Sequence, residues 1–437
     1  MSTMVASICA VLLCLFSHVL GGFYGQPEQV HLSYGEDATT MVVTWVTKDP
    51  TNTSIVEYGT NDMNMIAKGV ADLFTDGGPE KRIFYTHRVK VMNLTPGQKY
   101  MYHCGSHLGW SDIFTFTAMP PGSDWSPRFA VYGDMGNINA QSMGRLQEET
   151  QRGHFDAILH VGDMAYNMDT DNARFGDEFM RQVEAVAAYI PYMTCVGNHE
   201  SAYNFSNYRE RFTMPAAGGD GQNLWWSFNI GPAHIIAFST EVYFYTSYGT
   251  AQIMNQFSWI EQDLIEANKP ENRQARPWII TMGHRPAYCS NTDGDDCTKH
   301  QSIVRTGGGK SPSLETLFYK AGVDLQFWAH EHSYEREWPV YNFKVCNGSL
   351  DAPYTNPPAP VHIVTGSAGC QERHDPFIAD KPDWSAIRLD DYGYTRMTIH
   401  NRTHLYMEQV SDDQDGKIVD KVMLIKDKHG PGTYNCM

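Results

Sequence analysis

Between residues 128 and 335, five apolar runs stop at a small residue that is followed by a side chain able to bind a metal. The run 129–132 leads into Gly133-Asp134, the run 158–161 into Gly162-Asp163, and the run 192–196 into Gly197-Asn198-His199. The run 278–282 leads into Gly283-His284, and the run 325–328 into Ala329-His330-Glu331-His332. One Asp or His after an apolar run carries little information. Five such endings in order, all supplying oxygen or nitrogen donors, read as one metal site. Asp134, Asp163, Asn198, His284, His330 and His332 include no thiolate, which suits iron, manganese or zinc rather than a soft metal. A carboxylate such as Asp163 can bridge two cations. In an extended segment His330 and His332 point the same way, so one can serve each cation. Two cations roughly 3.5–4 Å apart clamp a phosphoryl group for in-line displacement and make hydroxide available at low pH. The sequence has no Gly-x-Ser-x-Gly elbow and no P-loop lysine motif, so no covalent nucleophile stands out.

The elements that must position these donors follow from the pattern around them. Short apolar runs bounded by glycine predict buried strands. Ligand sites of open α/β sheets lie beyond the carboxyl ends of the strands. Between the runs, Phe175, Phe179, Val183 and Val186 share a helical face, as do Ile253, Phe257, Ile260 and Leu264, and then Leu314, Leu317 and Phe318. The segments 225–230 and 234–238 predict a β-pair, so a mixed, layered α/β sandwich is expected over residues 128–340. Strand candidates at 361–364, 394–399 and 405–407 make residues 341–437 a C-terminal extension packed on that layer. His160 and His234 sit inside apolar runs and read as core histidines. Asp412-Asp-Gln-Asp-Gly416 reads as a solvated hairpin turn.

The remaining chain sets the context. Its 437 residues carry a formal charge of −17 and 42% hydrophobic residues. That acidity argues against nucleic acid or an anionic membrane as the main partner. An anionic substrate must be drawn in by local positive charge. Residues 26–120 hold short β-runs at 40–46, 54–58, 84–91, 99–103 and 112–117, separated by turn residues, and predict an all-β sandwich. Trp45 and the run 94–102 resemble a fibronectin type III module, and residues 121–127 form a Pro-rich linker. Residues 5–20 are apolar and precede Gly21, Gly22 and Gly25, which predicts a signal peptide within residues 1–25. No later transmembrane run is present. Sequons at Asn52, Asn93, Asn204, Asn347 and Asn401 are consistent with export. Seven cysteines lie beyond the signal segment, an odd number, and Cys289 with Cys297 is the best local pair.

Gly-Asp-Met-Gly136, Gly-Asp-Met-Ala-Tyr166, Gly-Asn-His-Glu200, Met-Gly-His284 and Ala-His-Glu-His332 resemble the five blocks of the purple acid phosphatases. The resemblance covers the chain from the β-sandwich onward, as in the long form of that family. It implies a calcineurin-like metallophosphoesterase domain and a phosphate monoester substrate. Most metallophosphoesterases place a His two residues after the first Asp; here that position is Gly136, and Tyr166 takes the role. The resemblance implies iron(III) on Asp134, Tyr166 and His332, a divalent iron, zinc or manganese on Asn198, His284 and His330, and Asp163 between them. His199 would steady phosphate oxygens or protonate the leaving alcohol. A metal-bound hydroxide would attack in line, without a phosphoenzyme. His300 is offered as a substrate contact from the loop after the fourth block. The fifth block begins with Ala329 in place of a usual glycine.

Three functions remain in view at this point: a secreted or lysosomal acid phosphatase, an enzyme of the same fold acting on diesters, nucleotides or phosphoproteins, and a non-catalytic binding protein. Homodimerisation is open.

Overall fold

The structure, a computed structural model, describes residues 24–215, 222–292, 294–309 and 311–436. The expected signal segment up to residue 23 lies outside the described residues. Eight strands build the N-terminal layer: β1 (Glu28–Tyr34), β2 (Met41–Thr47), β3 (Ser54–Gly59), β4 (Met65–Thr75), β5 (Ile83–Val91), β6 (Lys99–Ser106), β7 (Gly109–Trp110) and β8 (Phe114–Thr117). Val43, Trp45, Val89, Tyr102 and Phe116 are buried between them. The first half of β4 pairs with β3 and its second half with β5. One long strand passing between two faces folds the eight into a sandwich.

Strands and helices then alternate: β9 (Arg128–Tyr132), α1 (Met143–Gln151), β10 (Ala157–Val161), α2 (Thr170–Ala187), β11 (Tyr192–Cys195), α3 (Ala202–Arg211), β12 (Trp226–Ile230), β13 (Ala233–Ala237), α4 (Ala251–Ala267), α5 (Pro270–Ala275), β14 (Trp278–Met282), α6 (Leu314–Ala321), β15 (Leu325–Trp328) and β16 (Tyr334–Glu337). On α2, Phe179, Val183 and Val186 face the core, and on α4, Ile253, Ile260 and Leu264 do so. Helix α6 starts where Ser313 Oγ accepts the Thr316 N–H and stops at left-handed Gly322. A small hairpin, β17 (Val340–Tyr341) and β18 (Lys344–Val345), leads to β19 (Val361–Thr365), β20 (Ser385–Leu389), β21 (Gly393–Ile399), β22 (His404–Ser411) and β23 (Lys417–Ile425).

These strands form two mixed sheets, of order β11-β10-β9-β21-β22-β23 and β12-β13-β14-β15-β19-β16-β20. Strands β9, β10 and β11 are parallel, as are β13, β14, β15 and β19. Strands β10, β13, β14, β15 and β19 are buried on both faces, which is why they read as continuous apolar runs. Residues past 360 thus enter both sheets by hydrogen bonding. Disulfides join Cys289 to Cys297 and Cys346 to Cys436; among the described residues Cys104, Cys195 and Cys370 are free and buried. No described helix is long and apolar enough to cross a membrane.

Candidate metal centre

Strands β9, β10, β11, β14 and β15 end at Tyr132, Val161, Cys195, Met282 and Trp328, and a donor follows each within three residues. The donors converge. Asp163 Oδ2 lies 3.1 Å from His284 Nε2. The same nitrogen is 3.2 Å from Asn198 Oδ1 and 3.2 Å from His330 Nδ1. On the other side, the Tyr166 hydroxyl donates to Asp134 Oδ1 at 2.9 Å and lies 2.9 Å from His332 Nε2. Asp134 Oδ2 accepts the His330 N–H at 2.9 Å and links the two groups.

The backbone is bent to achieve this. Asp134, Asp163, Tyr166 and His330 have φ of 58°, 51°, 52° and 72°. Left-handed backbone costs a residue with a side chain roughly 1–2 kcal/mol, and clustered outliers of this kind mark functional sites. His330 and His332 therefore do not lie on an extended segment as the sequence suggested. A left-handed turn after β15 delivers them instead, His330 to His284 and His332 to Tyr166. At Gly197 an added Cβ would fall 2.1 Å from Asp163 Oδ1, so only glycine admits the carboxylate there.

Each imidazole is aimed by its second nitrogen. His284 Nδ1 faces the Val161 carbonyl at 2.9 Å, and His332 Nδ1 the Arg373 carbonyl at 2.8 Å. His330 Nε2 meets Asp295 Oδ2 at 2.5 Å. Buried Glu200 accepts the N–H groups of Asp163, Met164 and Gly197, each at 2.9 Å, and so ties the ends of β10 and β11 together.

Electrostatics follow from packing two buried carboxylates among imidazoles. Burial opposes the charge of Asp163, but His284 and His199 prevail and hold it well below the usual carboxylate range. Burial likewise opposes a charged His284, yet Asp163 and Asp134 push it up to about 10. His332 is pushed up to about 12 against burial by Asp134 and Cys370. Burial, then Asp134 and Asp163, raise the Tyr166 hydroxyl. The imidazoles and carboxylates thus pair their charges, and the four oxygen and three nitrogen donors are of the kind that hold hard or borderline cations.

His199 stands beside the cluster. Its N–H donates to Asp163 Oδ1 at 2.9 Å, and its Nδ1 pairs with Asn167 Oδ1. Its Nε2 lies 3.8 Å from Asp163 Oδ2 and 3.7 Å from Glu372 Oε1, and its ring packs 4.1 Å from that of Tyr166.

Family models match along the chain: "Purple acid Phosphatase, N-terminal domain" over residues 27–118, "Calcineurin-like phosphoesterase" over 127–334, and "Iron/zinc purple acid phosphatase-like protein C" over 359–421. The chain is 57% identical over 417 residues to acid phosphatase type 7 of Danio rerio, covering 94% of this chain and 93% of that one. The chain belongs to the purple acid phosphatase family. It is 30% identical over 418 residues to the Fe(3+)-Zn(2+) purple acid phosphatase 12 of Arabidopsis thaliana, covering 91% of this chain and 84% of that one. A purple acid phosphatase from yellow lupin (Lupinus luteus) seeds has the same fold, with a TM-score of 0.76 at 23% identity over 92% of this chain and 75% of that one. This family member is thus an enzyme of metallophosphoesterase fold.

Two parts of this purple acid phosphatase's site were not read from the sequence. One is support: Glu200 closes a quoted block, and Asp295 lies in a polar loop, but neither follows an apolar run. The other is the loop after β19. That strand ends at Thr365 before Gly366-Ser-Ala-Gly369-Cys370, the same signature as the five blocks but with no donor in second place. The loop brings Cys370 Sγ to 3.6 Å from His332 Nδ1 and Asp375 Oδ2 to 2.8 Å from the His332 N–H. His300 is not brought to the cluster. It is exposed, its ring rests 4.6 Å from Phe343, and its carbonyl accepts from Arg305. His160 and His234 are spoken for elsewhere, by Tyr192 and by Asn229 with Asp263.

Proposed function

We propose that this enzyme hydrolyses phosphate monoesters at acid pH, at a dinuclear centre of iron(III) and a divalent iron, zinc or manganese ion. The observation that carries the proposal is the convergence of seven donors from five strand ends, with Asp163 touching the Asn198–His284–His330 group beside Asp134 and Tyr166. The iron and zinc in the printed name of the Arabidopsis relative support the choice of metals. Asp134, Tyr166 and His332 would hold iron(III), Asn198, His284 and His330 the divalent ion, and Asp163 would bridge them. When bound, the two ions would neutralise phosphate charge and supply hydroxide at low pH.

The chain's own residues do the rest. Glu200 holds the ends of β10 and β11 in register, so the bridging carboxylate and Asn198 keep their separation. Asn167 takes Nδ1 of His199, which leaves Nε2 to face the cluster. Protonated at Nε2, His199 donates to the departing alcohol oxygen, a task suited to acid pH. No side chain is phosphorylated in this reading. The sequons at Asn52, Asn93 and Asn401 are exposed, which supports glycosylation and export, while Asn204 and Asn347 are half-buried.

The test is metal analysis and a visible spectrum on the purified protein. About two metals per chain and a tyrosinate-to-iron band are expected, and Tyr166→Phe should abolish the band. Two metals without colour would exclude the tyrosinate–iron(III) assignment, and absence of both metal and activity after reconstitution would sink the enzymatic reading.

A further inference from the structure

Two stretches of the catalytic layer run in the left-handed region: Asp171, Asn172 and Ala173, with φ of 50°, 54° and 65°, and Tyr203, Asn204 and Phe205, with φ of 52°, 59° and 60°. Such runs need contacts that hold them. The first lies just beyond Tyr166 and Asn167, the second just beyond Asn198 and His199. Both meet the same partner, the turn that joins β4 to β5 in the N-terminal sandwich. The Glu80 N–H donates to Asn172 Oδ1 at 3.0 Å, and Arg82 Nη1 donates to the Asn172 carbonyl at 3.1 Å. The Tyr203 ring lies over Gly77, where an added Cβ would fall 2.1 Å from it. Buried Asp76 accepts from the Gly78 N–H at 2.9 Å and from Asn207 Nδ2 at 3.0 Å, which fastens the turn to α3.

The segment between Tyr166 and Asn172 also carries the partner of His199. Asn167 pairs with His199 Nδ1, and its carbonyl accepts the Thr170 N–H at 3.1 Å. Burial pushes the Asp169 carboxyl up; Asp76 adds repulsion and His199 acts the other way. Turn, segment and imidazole therefore share one electrostatic neighbourhood.

We propose that the β4–β5 turn is a positioning element of the phosphatase. By bracing both left-handed runs it fixes the Asn167–His199 pair, and with it the direction in which His199 Nε2 meets the leaving group. This rests on the role of His199 given above. It gives the sandwich a part in the reaction, and the turn acts through Asn167 without touching substrate.

Asn172→Gly and Tyr203→Gly test it. Each removes one brace contact and leaves a residue that takes positive φ without strain. His199→Ala is the reference. Lys90→Ala, which removes a surface pair with Glu36 on the same sheet, is the control. Turnover is measured on an alkyl phosphate, whose leaving group needs a proton, and on a nitrophenyl phosphate, whose leaving group does not. Metal content and melting temperature are measured on each variant. The glycine variants should lose about tenfold in kcat on the alkyl ester and under about twofold on the aryl ester, with KM and metal content unchanged, since general acid catalysis contributes about 10²–10⁴-fold when intact. Equal loss on both esters, or a lower melting temperature alone, would overturn the brace. If His199→Ala separates the esters and the glycine variants do not, the brace fails and the reading of His199 stands. If His199→Ala does not separate them, both fall.

Discussion

The two sheets of the catalytic layer bring different chemistry to one place. The six-stranded sheet supplies Asp134, Asp163, Tyr166 and Asn198, all oxygen donors. The seven-stranded sheet supplies His284, His330 and His332, all nitrogen donors. The sheets are also anchored differently. Next to the first, Asp177 on α2 meets Arg211 at 2.9 Å, Lys48 at 2.6 Å and Arg82, so it is tied to the N-terminal sandwich. Next to the second, Asp324 meets Lys426 at 2.6 Å, His429 at 3.0 Å and Arg273 at 3.1 Å, so it is tied to the C-terminal segment. The Lys48 side chain is 25% exposed and that of Lys426 only 2%. Neither sheet holds a full donor set alone. The proposed site draws its donors from both sheets, and each sheet has a buried carboxylate anchor of its own beside it.

The largest effect expected from breaking this division comes at the seam. Asp163→Asn removes the carboxylate that joins the oxygen side to His284, and kcat should fall by at least about 10³-fold with loss of metal, in line with the several kcal/mol that metal centres contribute. Activity within tenfold of the parent would show that the meeting of the sheets is not the source of catalysis. Next come the anchors. Asp324→Asn leaves Lys426 buried without its charge partner and should cost roughly 3–5 kcal/mol. Asp177→Asn should cost less, because Lys48 and Arg82 can turn to water and the buried Arg211 keeps its bonds to Gln29 Oε1 and the Ala173 carbonyl. Equal costs in denaturant unfolding would contradict the contrast between a sealed anchor and an open one. For both carboxylates burial opposes the charge and the surrounding cations prevail, so the folded values sit below the usual range. Their stabilisation is complete above about pH 4, the unfolded carboxylate value, and is lost as pH falls toward the folded values. A stability scan from pH 7 to pH 2 should therefore stay level through mild acid for these anchors and drop only at the bottom. The smallest effect is on aim. Asp295→Asn loosens His330 and should weaken metal affinity by about 10–100-fold, with little change in melting temperature.

Much of this arrangement could be read from residue order, for physical reasons that differ by element. The five strand ends were legible because strands buried on both faces leave continuous apolar runs, and tight turns beside a ligand demand small residues. The faces of α2 and α4 showed their period, and the turn at 412–416 lies between β22 and β23 as its polarity suggested. Strand β4 was missed because it is exposed along nearly its whole length, Ile66, Val70 and Leu73 included, so no apolar–polar alternation marks a buried face. Strand β1 was missed although Val30, Leu32 and Tyr34 alternate with Gln29, His31 and Ser33; in the fold both sets are buried. Glu200 closes a block, but its role could not be read, because a carboxylate that accepts backbone N–H groups has no period. Cys346 and Cys436 are separated by 90 positions, and spacing does not encode such a pairing. His330 and His332 looked like two positions on a strand, whereas a left-handed turn separates them.

The place of β9 has a consequence for how the enzyme is made. This strand carries the first aspartate, yet it lies between β10 and β21, and roughly 260 residues separate Tyr132 from Gly393. At about 5–20 residues per second on the ribosome, one flank of β9 waits tens of seconds for its partner. Over that interval its N–H and C=O groups offer a template to any passing strand. The strand that opens the catalytic layer is therefore among the last to be closed.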